Sequence, residues 1–516
     1  MRYCLLAFVF SGATFAQAAD VFTFPLQPGP HAVGLQVKQQ YDHSRVYKTR
    51  VSLLTGKRTS GERARPMQAL VWYPAARGGK PVTFRDYYAT AATEADLGID
   101  AATVNRRTDT ELAEQTKGWP AGARALTRPM WAMRDAPAQA GKFPVVIYAP
   151  SYSATAAENA DLCEYLASHG YIVLSSASQG ARQRAMTVDV EGLETQAADI
   201  GWLIAQAGAM PNADTGRLAV AGFSWGGLAN LVAAAKDDRI KALVSLDGSV
   251  RYFPQLVDGG KTAIPYVMPA RLAVPMLYVG QRPATIEELN RKQNSTAYSL
   301  LNSMTYADMA VVTMHPMKHQ HFSSHGLHLA RDGEFDEYSR DEVTQAYGVM
   351  AHYVHRFLDG YLKDDAAARS FIANKPAANG LPRHMVSVEA RRGSGVAPTR
   401  ENFAAQLSAR GFDQAMAIYE ELKAQGATFK LEPHDINSWG YELLHDGMLA
   451  ESVAIFRFGT QMHPKDANLY DSLGEAQAKA GQRSEAIDNY RRSLMLNPKN
   501  TNAVERLQAL GAPPAP

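Results

Sequence analysis

A serine between two glycines is the first feature of this sequence that could do chemistry. It lies in the segment 222–226, GFSWG, after an apolar run at 218–221 and before apolar residues at helical spacing over 228–235. This order predicts a strand, a sharp turn and a helix. On such a turn the hydroxyl of Ser224 projects above the sheet at a helix N-terminus, where unpaired N–H groups favour developing negative charge. The alternative is a chance G-x-S-x-G in a chain with 39 glycines.

A nucleophilic serine needs a base, and the base needs an acid to orient it. Both should follow strands that end at the same edge of the sheet as Ser224. Asp247 directly follows the apolar strand 242–246, and His319 lies in the loop after the strand 310–314. The order serine, acid, histidine is that of an α/β-hydrolase triad. We therefore predict Ser224, Asp247 and His319 as the catalytic residues.

Each partner of the serine has competitors in the sequence. Glu287 and Glu288 follow the next strand, where many α/β-hydrolases place the acid, although they resemble the opening of a helix, and Asp247 could simply be a turn residue. His315 and His321 are alternative bases. The chain has five histidines between positions 315 and 328, but their spacing matches no familiar metal-ligand pattern. We therefore predict no metal and no cofactor.

The same chemistry requires an oxyanion hole with two backbone donors. The first predicted donor is the N–H of Trp225, the residue after the nucleophile. The second should lie in the loop after the strand 145–148, where Pro150 has no N–H, so we predict Tyr152. An ordinary polar turn at this loop is the alternative.

The segments around these residues indicate the fold class. Apolar strands alternate with helical patterns from about residue 143 to an amphipathic helix at about 343–362. This alternation predicts an α/β domain with a mostly parallel sheet covered by helices on both faces. We expect that domain to span 20–372, with an insertion at about 84–141 that shows little periodicity and covers the site or forms helices of its own.

Several short segments in this range also carry a family resemblance. They are residues 72–74, 143–146, 166–173, 222–227, 246–248 and 319–322. Over about 30–365 the chain resembles plasma-type platelet-activating-factor acetylhydrolases and related dienelactone-hydrolase-like bacterial proteins. The resemblance implies an α/β-hydrolase fold and a serine ester hydrolase without metal or cofactor, with Asp247 as the acid. The chain departs from these enzymes in the oxyanion loop, where Pro150 and Ser151 replace a His-Gly pair.

Composition and the N-terminus indicate where the protein works. The chain has 53 basic and 51 acidic side chains, which gives no indication of a nucleic-acid partner. Arg2, an apolar stretch over 5–15 and small residues at 16–19 predict a signal peptide, residues 1–19. The stretch is too short to span a membrane. We expect an exported protein, periplasmic or secreted and not transmembrane.

The C-terminal part shows an internal repeat. Gly440, Gly447, Phe456 and Pro464 recur 34 residues later as Gly474, Gly481, Tyr490 and Pro498. This period resembles tetratricopeptide repeats, so we predict an all-α helical-hairpin domain over 399–516, after a linker at 373–398 rich in Pro, Gly and small residues. Such a domain binds a protein or peptide partner, or serves as a structural or dimerising module.

Three functions are compatible with these patterns. The leading hypothesis is an exported esterase that cleaves a small-molecule ester through an acyl-enzyme on Ser224. A peptidase on the same fold is the second, because a triad alone does not distinguish an ester from an amide. The third is a catalytically weak hydrolase-fold protein that acts through its repeat domain.

Overall fold

Eleven strands form one sheet in the N-terminal part of the chain, as seen in a computed structural model. The structure describes residues 21–52, 55–251, 253, 256, 264–268, 272–283, 301, 303–426 and 429–513. The predicted signal peptide and the alternative acids Glu287 and Glu288 lie outside the described residues. The chain divides into two compact units, Met1–Gly393 and Ser394–Pro516.

The strands of the first unit, in chain order, are β1 Ala32–Val46, β2 Ala64–Ala75, β3 Lys80–Thr83, β4 Pro129–Arg134, β5 Phe143–Ala149, β6 Ile172–Ser176, β7 Ala213–Phe223, β8 Ile240–Leu246, β9 Met276–Gln281, β10 Met309–Met314 and β11 Val386–Arg391. Their order across the sheet is β11-β10-β9-β8-β7-β5-β6-β2-β1-β4-β3. Within the sheet, the block β6-β5-β7-β8-β9-β10 is parallel throughout. At its two ends, β2 pairs antiparallel with β6 and β11 pairs antiparallel with β10.

The helices of the first unit are α1 Phe84–Thr90, α2 Ala101–Gln115, α3 Pro120–Ala125, α4 Ala160–Ser168, α5 Val190–Gly208, α6 Trp225–Ala234, α7 Ser324–Leu329, α8 Arg340–Leu362 and α9 Ala366–Ala373. Buried residues of α4 and α8 share one hydrophobic cluster, and those of α5 and α6 share another. Within the described residues, no helix is both long and apolar enough to cross a membrane.

The central strands explain why two cores form. Along β7, Ala219 and Ala221 belong to the cluster of α4 and α8, while Leu218 and Val220 belong to the cluster of α5 and α6. Successive side chains of a strand point to opposite faces, so a continuous apolar strand supplies both cores at once. The predicted fold class, an α/β-hydrolase fold with helices on both faces followed by a helical C-terminal region, is confirmed.

Two predicted boundaries differ from the structure. The range 84–141 forms α1 to α3, but it also contains β4, which pairs with β1 and β3 in the main sheet. The predicted linker 373–398 contains β11, antiparallel to β10, and the first unit extends to Gly393 rather than to residue 372. Pro and Gly around β11 suggested a linker, whereas Val386 is buried and fits the alternation of an edge strand.

The second unit consists of helices throughout its described part. They are α10 Arg400–Arg410, α11 Ala415–Gln425, α12 Pro433–His445, α13 Leu449–Met462, α14 Ala467–Lys479, α15 Arg483–Leu496 and α16 Thr501–Ala509. A Cβ atom on Gly440 would lie 2.4 Å from the ring of Phe456, and one on Gly474 would lie 3.1 Å from the ring of Tyr490. The same contact between a glycine and an aromatic ring therefore packs α12 against α13 and α14 against α15.

A buried ion pair ties β2 to α5 in the first unit. The guanidinium of Arg65 donates to both carboxylate oxygens of Asp199, at 2.8 and 2.6 Å, and also to the carbonyl oxygens of Gln179 and Gly180. Both charged side chains are almost fully buried. Removing one partner of such a pair leaves an uncompensated buried charge, which is strongly destabilising.

We predict that Asp199→Ala lowers the free energy of unfolding of the first unit by about 3–5 kcal/mol, because Arg65 then loses its counter-ion. The control is Asp237→Ala, since Arg239, the partner of Asp237, is half exposed and such a pair contributes about 1 kcal/mol or less. Urea unfolding followed by circular dichroism measures both changes. Equal effects of the two substitutions would contradict the prediction.

Candidate active site

Ser224 occupies the turn between β7 and α6. Its backbone angles, φ 53° and ψ −114°, are unusual for a residue other than glycine. The turn is held on both sides, because the N–H of Ser224 donates to the carbonyl of Leu246 at 3.0 Å and its carbonyl accepts from the N–H of Ser249 at 2.8 Å. A strained conformation held by its surroundings is the geometry of a nucleophile elbow.

The two glycines of the motif make this turn possible by close backbone packing. A Cβ atom on Gly226 would lie 2.0 Å from the carbonyl oxygen of Ala149, and one on Gly222 would lie 2.6 Å from the carbonyl carbon of Gly226. Any larger residue at position 226 must therefore displace the end of β5. The loop that follows β5 contains the predicted oxyanion donor, so the same contact sets its distance from the elbow.

The structure brings together all three residues predicted as catalytic. The Oγ atom of Ser224 lies 2.9 Å from Nε2 of His319, and Nδ1 of His319 lies 2.6 Å from Oδ2 of Asp247. The side chain of Asp247 is buried, whereas that of His319 is 40% exposed. A histidine protonated at Nδ1 can accept the serine proton at Nε2 while the carboxylate holds its other nitrogen. The exposed ring leaves room for substrate and water.

Neighbouring groups fix the acid and the histidine. The N–H of Asp247 donates to the carbonyl of Val279 at 2.6 Å. Gln281 contacts both partners: its N–H donates to Oδ1 of Asp247 at 3.1 Å, and its Oε1 accepts from the N–H of His319 at 3.2 Å. The ring of Phe223 packs against the His319 ring with centroids 4.9 Å apart.

Sequence reasoning did not identify Gln281. The residue type expected at the end of β9 is a carboxylate, and an amide gives no comparable signal in a sequence. Its position at the end of β9, beside β8 and β10 in the sheet, is the one feature that could have pointed to it.

The alternative bases lie in other surroundings. Nδ1 of His321 accepts from the N–H of Lys318 at 3.1 Å, and its ring stacks on Phe335. Burial lowers the pKa of His321. The backbone N–H of His315 donates to the carbonyl of Met385 as β10 ends. In the part of the chain that the structure describes, no cluster of three or more His, Cys, Asp or Glu side chains could hold a metal ion.

The predicted oxyanion donors lie on the two segments that meet at the elbow. Trp225 is the first residue of α6, where backbone N–H groups have no partner within the helix. In the loop after β5, the N–H of Ser151 already donates to Oε2 of Glu158 at 2.8 Å. Across the described residues, the N–H of Tyr152 donates to no protein acceptor, and its hydroxyl is fixed on the carbonyl of Met186 at 2.6 Å. The backbone N–H of Tyr152 thus has no competing protein acceptor among the described residues, as an oxyanion donor requires.

A buried carboxyl group, Glu158, lies behind this loop and was missed by sequence reasoning. It accepts from both the N–H and the hydroxyl of Ser151. Burial raises its pKa to about 7, while the bonds from Ser151 and Tyr148 and the charge of His319 act in the opposite direction. A group that titrates near neutral pH therefore lies beside the site.

Comparison with known proteins gives a family match for part of the chain. Residues 128–368 match the family described as X-Pro dipeptidyl-peptidase (S15 family), and this range contains Ser224, Asp247 and His319. No curated protein matches the chain. Among solved structures, the chain is similar to a ferulic acid esterase from Streptomyces cinnamoneus, with 17% identity, 73% of this chain and 100% of that chain covered, and a TM-score of 0.48.

The family match and the fold define the class of protein. The chain is an α/β-hydrolase-fold enzyme of the serine hydrolase class. The matched family is named for a peptidase, but the same kind of triad hydrolyses both esters and amides. The triad therefore does not distinguish an ester substrate from a peptide.

We predict that Gly226→Ala lowers kcat/KM for a chromogenic acyl donor such as p-nitrophenyl acetate by on the order of 10²-fold, because the new methyl group displaces Ala149 and the loop beyond it. The control is Gly201→Ala on α5, where an added Cβ has no atom within 4 Å. Steady-state kinetics of both variants, with circular dichroism to show folding, test this. A folded Gly226→Ala variant with wild-type activity would contradict the role of close packing at the elbow.

Proposed function

We propose that the protein hydrolyses carboxylic esters of small molecules through an acyl-enzyme intermediate on Ser224. The observation that supports this proposal is the continuous hydrogen-bonded series from Ser224 Oγ through His319 to Asp247, beginning at a positive-φ turn. A serine hydroxyl is a weak nucleophile unless a base removes its proton during attack. The series supplies that base and a buried carboxylate to orient it.

In the proposed first step, Ser224 Oγ attacks the ester carbonyl carbon and its proton passes to Nε2 of His319. Asp247 stabilises the imidazolium through its bond to Nδ1. The carbonyl oxygen becomes negatively charged and accepts from the N–H groups of Trp225 and Tyr152. When the tetrahedral intermediate collapses, the C–O bond to the alcohol breaks and His319 returns the proton to the departing oxygen.

The second step releases the acid product. Water donates a proton to Nε2 of His319 as its oxygen attacks the acyl carbon. When this second intermediate collapses, the ester bond to Ser224 Oγ breaks and His319 returns the proton to that oxygen, which restores the free enzyme. The 40% exposure of the His319 side chain gives water access to this nitrogen. Acylation and deacylation thereby use the same base and the same oxyanion donors.

The carboxylates beside the site favour an ester substrate over an N-terminal dipeptide. Cleavage after a dipeptide requires recognition of a free ammonium group, for which a carboxylate is the usual partner. Among the described residues, Asp247 bonds within the triad, Glu158 bonds to Ser151 of the oxyanion loop, and Glu94 accepts from Thr155 and Ala156 further along the loop after β5. All three carboxyl groups are buried and engaged by protein donors. Peptidase activity remains the second candidate, because the matched family is named for it.

We predict that wild-type protein hydrolyses p-nitrophenyl esters and that Ser224→Ala, Asp247→Asn and His319→Ala each lower kcat by about 10³–10⁴-fold, since each removes one member of the triad. A chain-length series of acyl groups measures the size of the acyl pocket. An X-Pro dipeptide p-nitroanilide, assayed in parallel, tests the peptidase alternative. Turnover of the anilide with no ester turnover would replace the ester proposal by the peptidase.

We also propose that the protein is exported, periplasmic or secreted, after removal of residues 1–19. The support is the charged, apolar and small-residue order of its N-terminus. Mass spectrometry of the N-terminal peptide, purified from the native host, tests this proposal. An intact Met1 would contradict it.

The C-terminal helices are, in this proposal, tetratricopeptide-like repeats that bind a protein or peptide. The support is the shared glycine-to-aromatic contact in two helix pairs 34 residues apart. A dimerising module is the alternative. Light scattering of the full chain, which measures its mass in solution, distinguishes the two roles. A dimer that becomes a monomer after substitutions in the C-terminal unit would favour the dimerising module.

A further inference from the structure

Glu158 connects the oxyanion loop to the segment that follows the catalytic histidine. Its carboxylate accepts both polar groups of Ser151 and, at 3.4 Å, the hydroxyl of Tyr148 on β5. The Glu158 side chain is buried, so these protein donors replace the water that would otherwise solvate it. Its position therefore fixes the residue directly before Tyr152.

The backbone around Glu158 holds the other side of the site. The carbonyl oxygen of Glu158 accepts from the N–H of His325 at 3.0 Å. Asn159, the next residue, donates to the carbonyl of Phe322 at 2.9 Å and accepts from the N–H of Ser324 at 2.7 Å. Phe322 ends the short 3-10 helix that begins at His319. One short segment before α4 thus fixes both loops of the proposed mechanism.

The charge of His319 also acts on Glu158. A positively charged His319 lowers the pKa of Glu158, whereas burial, the larger cause, raises it.

We propose, on the basis of the proposed ester hydrolysis, that Glu158 is a positioning residue that works in its ionised form. It holds Ser151 so that the N–H of Tyr152 faces the developing oxyanion. Glu164 serves as the comparison, because its carboxyl group is also buried but accepts from Tyr87 and Trp131 rather than from the oxyanion loop.

This role makes activity sensitive to a second proton besides that of His319. Burial raises the pKa of Glu158 to about 7. Three titratable groups face it: Tyr148 on β5, Tyr347 on α8, and His319 in the loop after β10. Burial raises the pKa of both tyrosines well above the ordinary value, so they stay neutral. As the pH falls through about 7, Glu158 takes up a proton, and the oxygen that carries the proton becomes a donor, so the two bonds from Ser151 must rearrange.

The first test compares kcat/KM for p-nitrophenyl acetate between about pH 5 and pH 9 in wild type, Glu158→Gln and Glu164→Gln. Wild type should lose activity on the acid side more steeply than one proton allows, because Glu158 and His319 must both be deprotonated. Glu158→Gln should show a one-proton limb and a kcat about tenfold or more lower on the plateau, with a smaller change in KM. Glu164→Gln should keep the wild-type profile.

Ser151→Ala is the second test and leaves the buried carboxyl in place. The hydroxyl of Ser151 lowers the pKa of Glu158, so its removal raises that pKa further. The acid limb should therefore move to higher pH, an effect that a purely structural Glu158 would not produce.

The inference is overturned if wild type and Glu158→Gln share a one-proton acid limb, if Glu164→Gln changes the profile as Glu158→Gln does, or if Ser151→Ala leaves the limb unmoved. These outcomes occur in an active enzyme. Failure of the proposed function is distinguishable, because then wild type itself turns over no ester at any pH.

Discussion

The site depends on one close backbone contact, between Gly226 at the start of α6 and Ala149 at the end of β5. This contact allows Ser224 to take a positive φ and to project toward His319. It also brings the loop after β5 beside the helix N-terminus that supplies the Trp225 N–H. The parallel order β5-β7-β8-β9-β10 then delivers Asp247, Gln281 and His319 to the same edge, since parallel strands end together.

Two buried carboxyl groups have different roles in this arrangement because their partners differ. Asp247 accepts from the Gln281 N–H and from the ring of His319, so its charge is balanced within the triad. Glu158 has neutral donors from Ser151 and Tyr148, and burial shifts its pKa toward neutral pH.

The sequence predicted the fold class and pointed to Ser224, Asp247 and His319, because strand ends and the GFSWG turn are local patterns. It did not reveal Gln281 or Glu158, whose roles come from contacts between segments that are distant in the chain or lack a motif. The surrounding Pro and Gly residues made β11 resemble a linker. The range that contains β4 showed little periodicity, so its strand was not recognised. These two segments form strands because β11 pairs with β10 and β4 pairs with β1. Such pairing depends on distant parts of the chain and is not a local property of the sequence.

Covalent labelling by a fluorophosphonate, with the modified peptide identified by mass spectrometry, tests the central claim most directly. Only a serine activated by a positioned base reacts readily with this reagent. The account predicts one modified residue, Ser224, with labelling lost in His319→Ala. Modification of another residue, such as Ser249 with its Oγ 3.5 Å from that of Ser224, or no labelling at all in folded wild-type protein, would contradict it.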